Sequence, residues 1–210
     1  MSSEKSTSWS YTEAFASEDA VLERARERSF DLGVTPVSPG VGAVLTVLAA
    51  SSKPHAAVEI GAGAGVSGVC ILRGLPASAV FTTIDSDVEH LKAAREAFAE
   101  AGVPANRVRA IPGRAAAVLP RLTDAAYDLV FVDADKSSAL LYAEQGIRLL
   151  RPGGLLVVND ALDRDRVSNP AYREPTTVRL RELHRALRTD ERLATAILPT
   201  GDGLIVASRR

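Results

Sequence analysis

Three alternating glycines, Gly61, Gly63 and Gly65, follow the short apolar run Val58-Glu59-Ile60, and the next apolar run closes on Asp85. Glycine is needed where backbone takes positive φ or lies directly against a bound molecule. The segment after the loop, Val66 to Arg73, has helical spacing, so a strand, a glycine turn and a helix N-terminus form a nucleotide-sized cradle. Gly63, Gly65 and Gly68 also fit the dinucleotide fingerprint, which leaves the loop compatible with NAD. Two carboxylates narrow the choice. Asp85 at a strand end can accept both hydroxyls of a ribose. Glu59 inside the strand end, where an unpaired carboxylate is costly, suits a ligand carrying positive charge better than a pyrophosphate, and so favours S-adenosylmethionine.

A second set lies downstream. Asp133, Asn159 and Asp160 follow two further apolar runs, and if those strands are neighbours their ends bring three oxygen donors together. Hard oxygen ligands suit Mg²⁺, with Mn²⁺ or Ca²⁺ as alternatives, rather than zinc. Taken singly, each of the three is equally a turn former or a helix cap. Lys136 is close enough in sequence to Asp133 to share its site, and beside a divalent cation it is a plausible proton acceptor. Singly it reads as a solvated surface lysine. His55, His184 and the lone Cys70 read as structural residues, and the arginines between Arg173 and Arg192 as a charged outer face.

The elements that must position these groups are legible from periodicity. The 210 residues suit one domain, with helices over 1–55 in front of a core over 56–210. A helix is expected from a Ser17 cap to Gly33, and another from Ser38-Pro39 with Val41, Val44, Leu45 and Leu48 as its apolar stripe. Residues 1–10 are polar and serine-rich and are expected to fray, with Trp9 free to dock on the body or on another subunit. Strands are expected at Ala56–Ile60, Val80–Ile84, Val108–Ile111, Asp128–Val132 and Leu155–Val158. Helices alternate with them, the clearest being Asp87–Ala101, and a last helix spans Thr177–Arg188. This pattern implies a Rossmann-like, doubly wound α/β sheet that is mostly parallel. The short Pro199–Gly203 link between Leu193–Leu198 and Leu204–Ala207 requires an antiparallel C-terminal hairpin. Ala161 to Pro175 has loop composition.

With 25 Lys+Arg against 26 Asp+Glu the formal charge is -1, so no global field favours a nucleic acid or an anionic membrane. One cysteine excludes an intrachain disulfide, and neither a signal peptide nor a membrane-length apolar run is read. The cytoplasm is the expected address.

The chain resembles the class I S-adenosylmethionine-dependent methyltransferases, specifically the cation-dependent O-methyltransferases that include the caffeoyl-CoA and catechol enzymes. The similarity runs from about Val37 to the C-terminus. It is carried by Val37-Ser38-Pro39, Val58 to Gly65, Thr83-Ile84-Asp85, Phe131-Val132-Asp133-Ala134-Asp135-Lys136, Arg151-Pro152-Gly153-Gly154 and Leu198 to Gly203. The resemblance implies a seven-stranded sheet, a homodimer and a small aromatic acceptor with vicinal hydroxyls. It also implies that Glu59, Gly61, Gly63, Gly65 and Ser67 meet the methionine part of the cofactor, Asp85 the ribose, and Gly113, Arg114 and Ala115 the adenine, with Val37 and Asp133 also in contact with the cofactor. By the same resemblance Asp133, Asn159 and Asp160 hold the metal and Lys136 is the general base. Two departures are specific to this chain: the family usually reads Asp-Asn where Asn159-Asp160 stand, and a carboxylate where Arg114 stands. Two other readings remain: an NAD-dependent oxidoreductase, and a cofactor-binding protein whose altered Asn159-Asp160 pair no longer supports catalysis.

Overall fold

The computed structural model describes residues 3–210, with side chains from Thr7 onward. Helices α1 (Ser3–Glu13), α2 (Ala20–Asp31) and α3 (Pro39–Ser52) precede the first strand, β1 (Ala56–Ile60). Alternation then follows: α4 (Val66–Gly74), β2 (Val80–Asp85), α5 (Val88–Glu100), β3 (Val108–Pro112), α6 (Ala115–Val118), β4 (Tyr127–Val132), α7 (Ala139–Leu149) and β5 (Leu150–Val158). The long helix α8 (Pro175–Thr189) leads to the hairpin β6 (Leu193–Leu198) and β7 (Leu204–Arg209).

The strands form one seven-stranded sheet in the order β3-β2-β1-β4-β5-β7-β6, parallel through β5 and antiparallel at β7 and β6. Order reverses between β1 and β4, the place where a doubly wound sheet opens a crevice at its strand ends. Both faces are covered, and alternate residues of one strand serve opposite cores. Leu129 and Phe131 of β4 join Leu45, Val69, Phe81 and Phe98 on the α2–α5 side. Val130 and Val132 join Tyr142, Ile147, Leu180 and Leu183 on the α7–α8 side. The rings of Phe81 and Phe98 meet edge to face at 5.9 Å.

Several boundaries differ from the periodicity reading. Residues 3–13 are helical rather than frayed; residues 1 and 2 of that segment lie outside the described residues. The segment lacks an apolar stripe, and the described anchor is polar: Glu13 accepts hydrogen bonds from the Gly40 and Gly201 amides and the Thr200 hydroxyl. Trp9 stays 40% exposed. The cap of α2 is Asp19, not Ser17, because its carboxylate takes the Leu22 amide at 3.2 Å and the Arg73 guanidinium at 2.7 Å. Strand β5 starts at Leu150, ahead of the expected Leu155, through a register irregularity opposite Tyr127–Leu129.

No described helix is long and apolar enough to cross a membrane. Cys70 is 3% exposed, and a Cβ on Gly42 of α3 would lie 2.9 Å from its sulfur, so the thiol fills the α3–α4 contact. Burial pushes that thiol up to about 12. Thiolate is the reactive form. Labelling by a thiol-specific reagent at pH 8 is therefore expected only at the rate of unfolding, and rapid stoichiometric labelling of folded protein would contradict this packing.

Candidate active site

The site is assembled at the carboxyl ends of β1, β2, β4 and β5, whose exits are pinned in register. The Gly61 amide donates to Ile84 O, Asp133 N to Ile60 O, Asn159 N to Val132 O and Gly113 N to Asp85 O, all at 2.8–2.9 Å. Gly61, Gly63 and Gly65 have φ of +95°, +47° and +91°, the region L side chains avoid. Gly61 has a second reason to lack a side chain: a Cβ there would overlap the backbone oxygen of Asp133. Gly65 caps α4 and lies against Ala94 of α5, with a Cβ built on it only 2.8 Å from the Ala94 Cα.

Two adjoining cavities open here. The first is lined by Val37, Gly61, Gly63, Ser67 and Asp133, with Val34–Pro36 as its outer wall. The second, about 510 Å³, is lined by Asp85, His90, Gly113, Arg114, Ala115 and Tyr142. Both include Val34, Gly61, Gly63 and Asp133, so they form a continuous trough bent around the glycine loop. Its size and mixed lining suit a nucleoside with an attached amino-acid tail.

Asp85 is held firmly. One oxygen accepts the Ala62 and Gly63 amides at 3.0 and 3.1 Å; the other accepts the Asp87 amide at 2.9 Å and lies 3.3 Å from His90 Nδ1. Tyr142 donates its hydroxyl to Asp135 at 2.8 Å. Arg114 lies at the mouth, exposed, with its backbone at the N-cap of α6.

Glu59 and Gly65 line neither cavity. Glu59 is 0% exposed and sits beneath the loop, taking the Ser67 hydroxyl at 2.7 Å and the Thr83 hydroxyl at 2.6 Å. Its carboxylate thus supports Ser67, the helix residue that does face the cavity. Burial, reinforced by the charges of Asp133 and Asp85 and only partly offset by the two hydroxyls, pushes its carboxyl up to about 8. An unfolded chain would lose that proton near 4.5. Between those values the native state binds more protons than the unfolded state, so stability must fall as pH rises. Chemical denaturation of ligand-free protein from pH 4.5 to 8 is expected to lose a few kcal/mol in this way. Glu59→Gln should flatten that part of the profile, and an unchanged slope would assign it to other groups.

The second constellation gathers around Asp133. Asn159 Nδ2 donates to Asp133 at 3.0 Å, while Asn159 Oδ1 is buried with no hydrogen-bond partner. Burial pushes the Asp133 carboxyl up to about 6; the Asn159 bond lowers it and repulsion from Asp160 raises it. A buried carbonyl oxygen without a donor and two mutually repelling carboxylates are what a hard cation would relieve, so the donor chemistry fits one. Among the described residues no group of three His, Cys, Asp or Glu side chains has metal-binding geometry; the set depends on the amide of Asn159.

Sequence reasoning missed what surrounds Lys136. Its ammonium lies 3.8 Å from Asp160, 3.4 Å from Asp163 and 3.6 Å from Asp202. Asp163 is 6% exposed and also accepts the Thr177 hydroxyl. The segment bearing Asp160 and Asp163 is bent through left-handed backbone at Asp160, Asp163, Arg164 and Asp165. Each such residue costs roughly 1–2 kcal/mol, and conformations of this kind persist only where their surroundings enforce them. Aspartate tolerates the left-handed region better than most residues, which is the one sequence signal that marked this turn.

The site therefore combines a glycine-loop trough at the topological switch point with a cluster of oxygen donors around Asp133 and Lys136 beside it. That pairing defines a Rossmann-like methyltransferase. The O-methyltransferase family matches the chain over residues 12–210, and the chain belongs to it. A Mycobacterium tuberculosis protein named "Probable O-methyltransferase Rv1220c" is 48% identical over 201 residues, covering 96% of this chain and 90% of its own. The crystal structure of a Corynebacterium glutamicum protein superposes with a TM-score of 0.89 at 33% identity, over 95% of this chain and 94% of that one. The O-methyltransferase TomG of Streptomyces achromogenes, solved with S-adenosylmethionine, gives 0.87 at 27% identity over 100% and 99%. Family membership decides between the two cofactors left open by the glycine loop: the chain is an S-adenosylmethionine-dependent O-methyltransferase, not a nicotinamide enzyme.

Proposed function

We propose that the protein methylates one hydroxyl of a small aromatic acceptor with vicinal hydroxyls, assisted by a divalent cation, Mg²⁺ in the first instance. The observation that carries this reading is the orphaned, buried Asn159 Oδ1 beside Asp133 at the adjoining ends of β4 and β5. Asp133, Asn159 and Asp160 would hold the cation, which supplies Lewis acidity and direction to paired hydroxyl oxygens. The chain's own groups do the rest. The glycine loop, Val37 and Ser67 seat the methionine part of the cofactor. Asp85 takes the ribose, and the Gly113-Arg114-Ala115 turn borders the adenine, with Arg114 supplying backbone rather than a carboxylate. Lys136 would accept the acceptor's proton as the neutral amine, and the ammonium so formed is the state that Asp160, Asp163 and Asp202 face. Methyl transfer to the oxygen then needs alignment more than covalent help, and alignment of this kind accounts for roughly 7–11 kcal/mol of a barrier.

Caffeic acid with S-adenosylmethionine is the test substrate, assayed with and without chelator. Turnover that needs Mg²⁺ supports the reading, and full turnover in chelator removes the cation from it. A readout independent of turnover is melting: Mg²⁺ should raise the melting temperature of the parent protein but not of Asn159→Ala. Tight binding of S-adenosylhomocysteine without turnover of any vicinal diol would favour a cofactor-binding protein with impaired catalysis.

A further inference from the structure

The acceptor side, as assigned above, is built on strained backbone, and the groups enforcing it trace back to the N-terminal helix. The β6–β7 turn holds the left-handed segment through three backbone amides. Ala161 N donates to Gly203 O at 2.9 Å, Leu162 N to Asp202 O at 2.8 Å, and Arg164 N to both oxygens of the Asp202 carboxylate at 2.7 and 2.9 Å. The same carboxylate faces Lys136. Leu162 leaves no room for a Cβ on Gly203, so turn and segment are in close contact.

The turn is in its own right fixed from outside. One Glu13 oxygen takes the Thr200 hydroxyl and the Gly201 amide, both at 2.7 Å, and the other takes the Gly40 amide at 3.1 Å in the first turn of α3. Space has been cleared for this clamp. A Cβ on Gly40 would lie 2.5 Å from the Glu13 carboxylate, and one on Gly201 would lie 2.8 Å from Val41. The Ser38, Gly201, Thr200 and Gly40 bonds together outweigh the cost of burial and hold the Glu13 carboxyl below its usual range, so it stays ionised at neutral pH.

We infer that Glu13 is a positioning residue for the acceptor side of the site: by clamping Thr200 and Gly201 it fixes Asp202, which in turn holds the Arg164 amide and the Lys136 ammonium. This inference rests on the acceptor assignment proposed above only for its kinetic readout. Amide exchange reads the clamp directly.

The experiment uses full-length Glu13→Ala, with Glu13→Gln as the variant that keeps one acceptor oxygen. Thr200→Val removes a single donor and serves if Glu13→Ala does not fold. Exchange at Ala161, Leu162 and Arg164 should rise tenfold or more in Glu13→Ala and by less in Glu13→Gln. The KM for caffeic acid should rise at least fivefold, while the affinity for S-adenosylhomocysteine, by calorimetry, stays within threefold. Faster exchange confined to α1 and the start of α3, or a KM increase matched by an equal loss of cofactor affinity, would overturn the inference. If the parent protein methylates no vicinal diol, the acceptor assignment fails, and the exchange pattern at 161–164 still decides the clamp.

Discussion

Asp133→Ala is expected to reduce methyl transfer to caffeic acid by about 10²–10³-fold or more, the range seen when one preorganised electrostatic group is removed from an active site. Asp133 borders both cavities and is the partner of Asn159, so it is the side chain common to the cofactor trough and the oxygen cluster. Its loss unpairs the Asn159 amide and removes a carboxylate from the cluster in one step. Binding of S-adenosylhomocysteine should largely survive, because Asp85, the glycine loop and the Gly113–Ala115 turn are untouched. Calorimetry and initial rates on the same preparation separate the two effects. Turnover within tenfold of the parent would show that Asp133 has no part in the chemistry, and a parallel collapse of cofactor affinity would show that it serves the trough rather than the oxygen cluster.

Gly61→Ala should damage the protein in a different way. The residue sits at φ +95° with a Cβ directed into the Asp133 backbone oxygen, so the new methyl meets main chain that cannot swing aside. Left-handed backbone alone costs roughly 1–2 kcal/mol. Relieving the overlap means separating the ends of β1 and β4, which are tied by the bond from Asp133 N to Ile60 O at 2.8 Å. A total loss above about 4 kcal/mol is expected, in the class of exceptional single-site effects. Thermal melting should show a drop of many degrees and calorimetry no binding of S-adenosylhomocysteine. Gly102→Ala is the control, because that glycine is also left-handed, at φ +73°, yet a Cβ there meets nothing within 4 Å. If the two variants melt alike, close approach at Gly61 is not what limits the position.

These two residues also mark what could be read from the chain beforehand. Gly61, Asp85, Asp133 and Asn159 are strand-end residues, and strand ends follow from local apolar runs, so the trough and its neighbour were legible once the strands were placed. Glu59 was legible as a costly carboxylate but not as a buried support for Ser67. In a strand covered on both faces, alternation does not tell which way a side chain points. The roles of Asp163, Asp202 and Glu13 were not legible, although Asp202 lies in one of the motifs that carried the resemblance. Each acts through a contact with residues far along the chain, and no local period encodes such a meeting. The helix α1 escaped for the same reason: it has no apolar stripe, and its described anchor is a carboxylate whose partners come 187 and 188 residues later.

That separation carries a consequence for how the protein is made. Helix α1 has to wait for the partners of Glu13, since Thr200 and Gly201 emerge only after six of the seven strands have been synthesised. At about 5–20 residues per second the N-terminal helix spends on the order of ten seconds or more without the partners of Glu13. The clamp of Glu13 on Thr200 and Gly201 can therefore close only after the β6–β7 turn has been made.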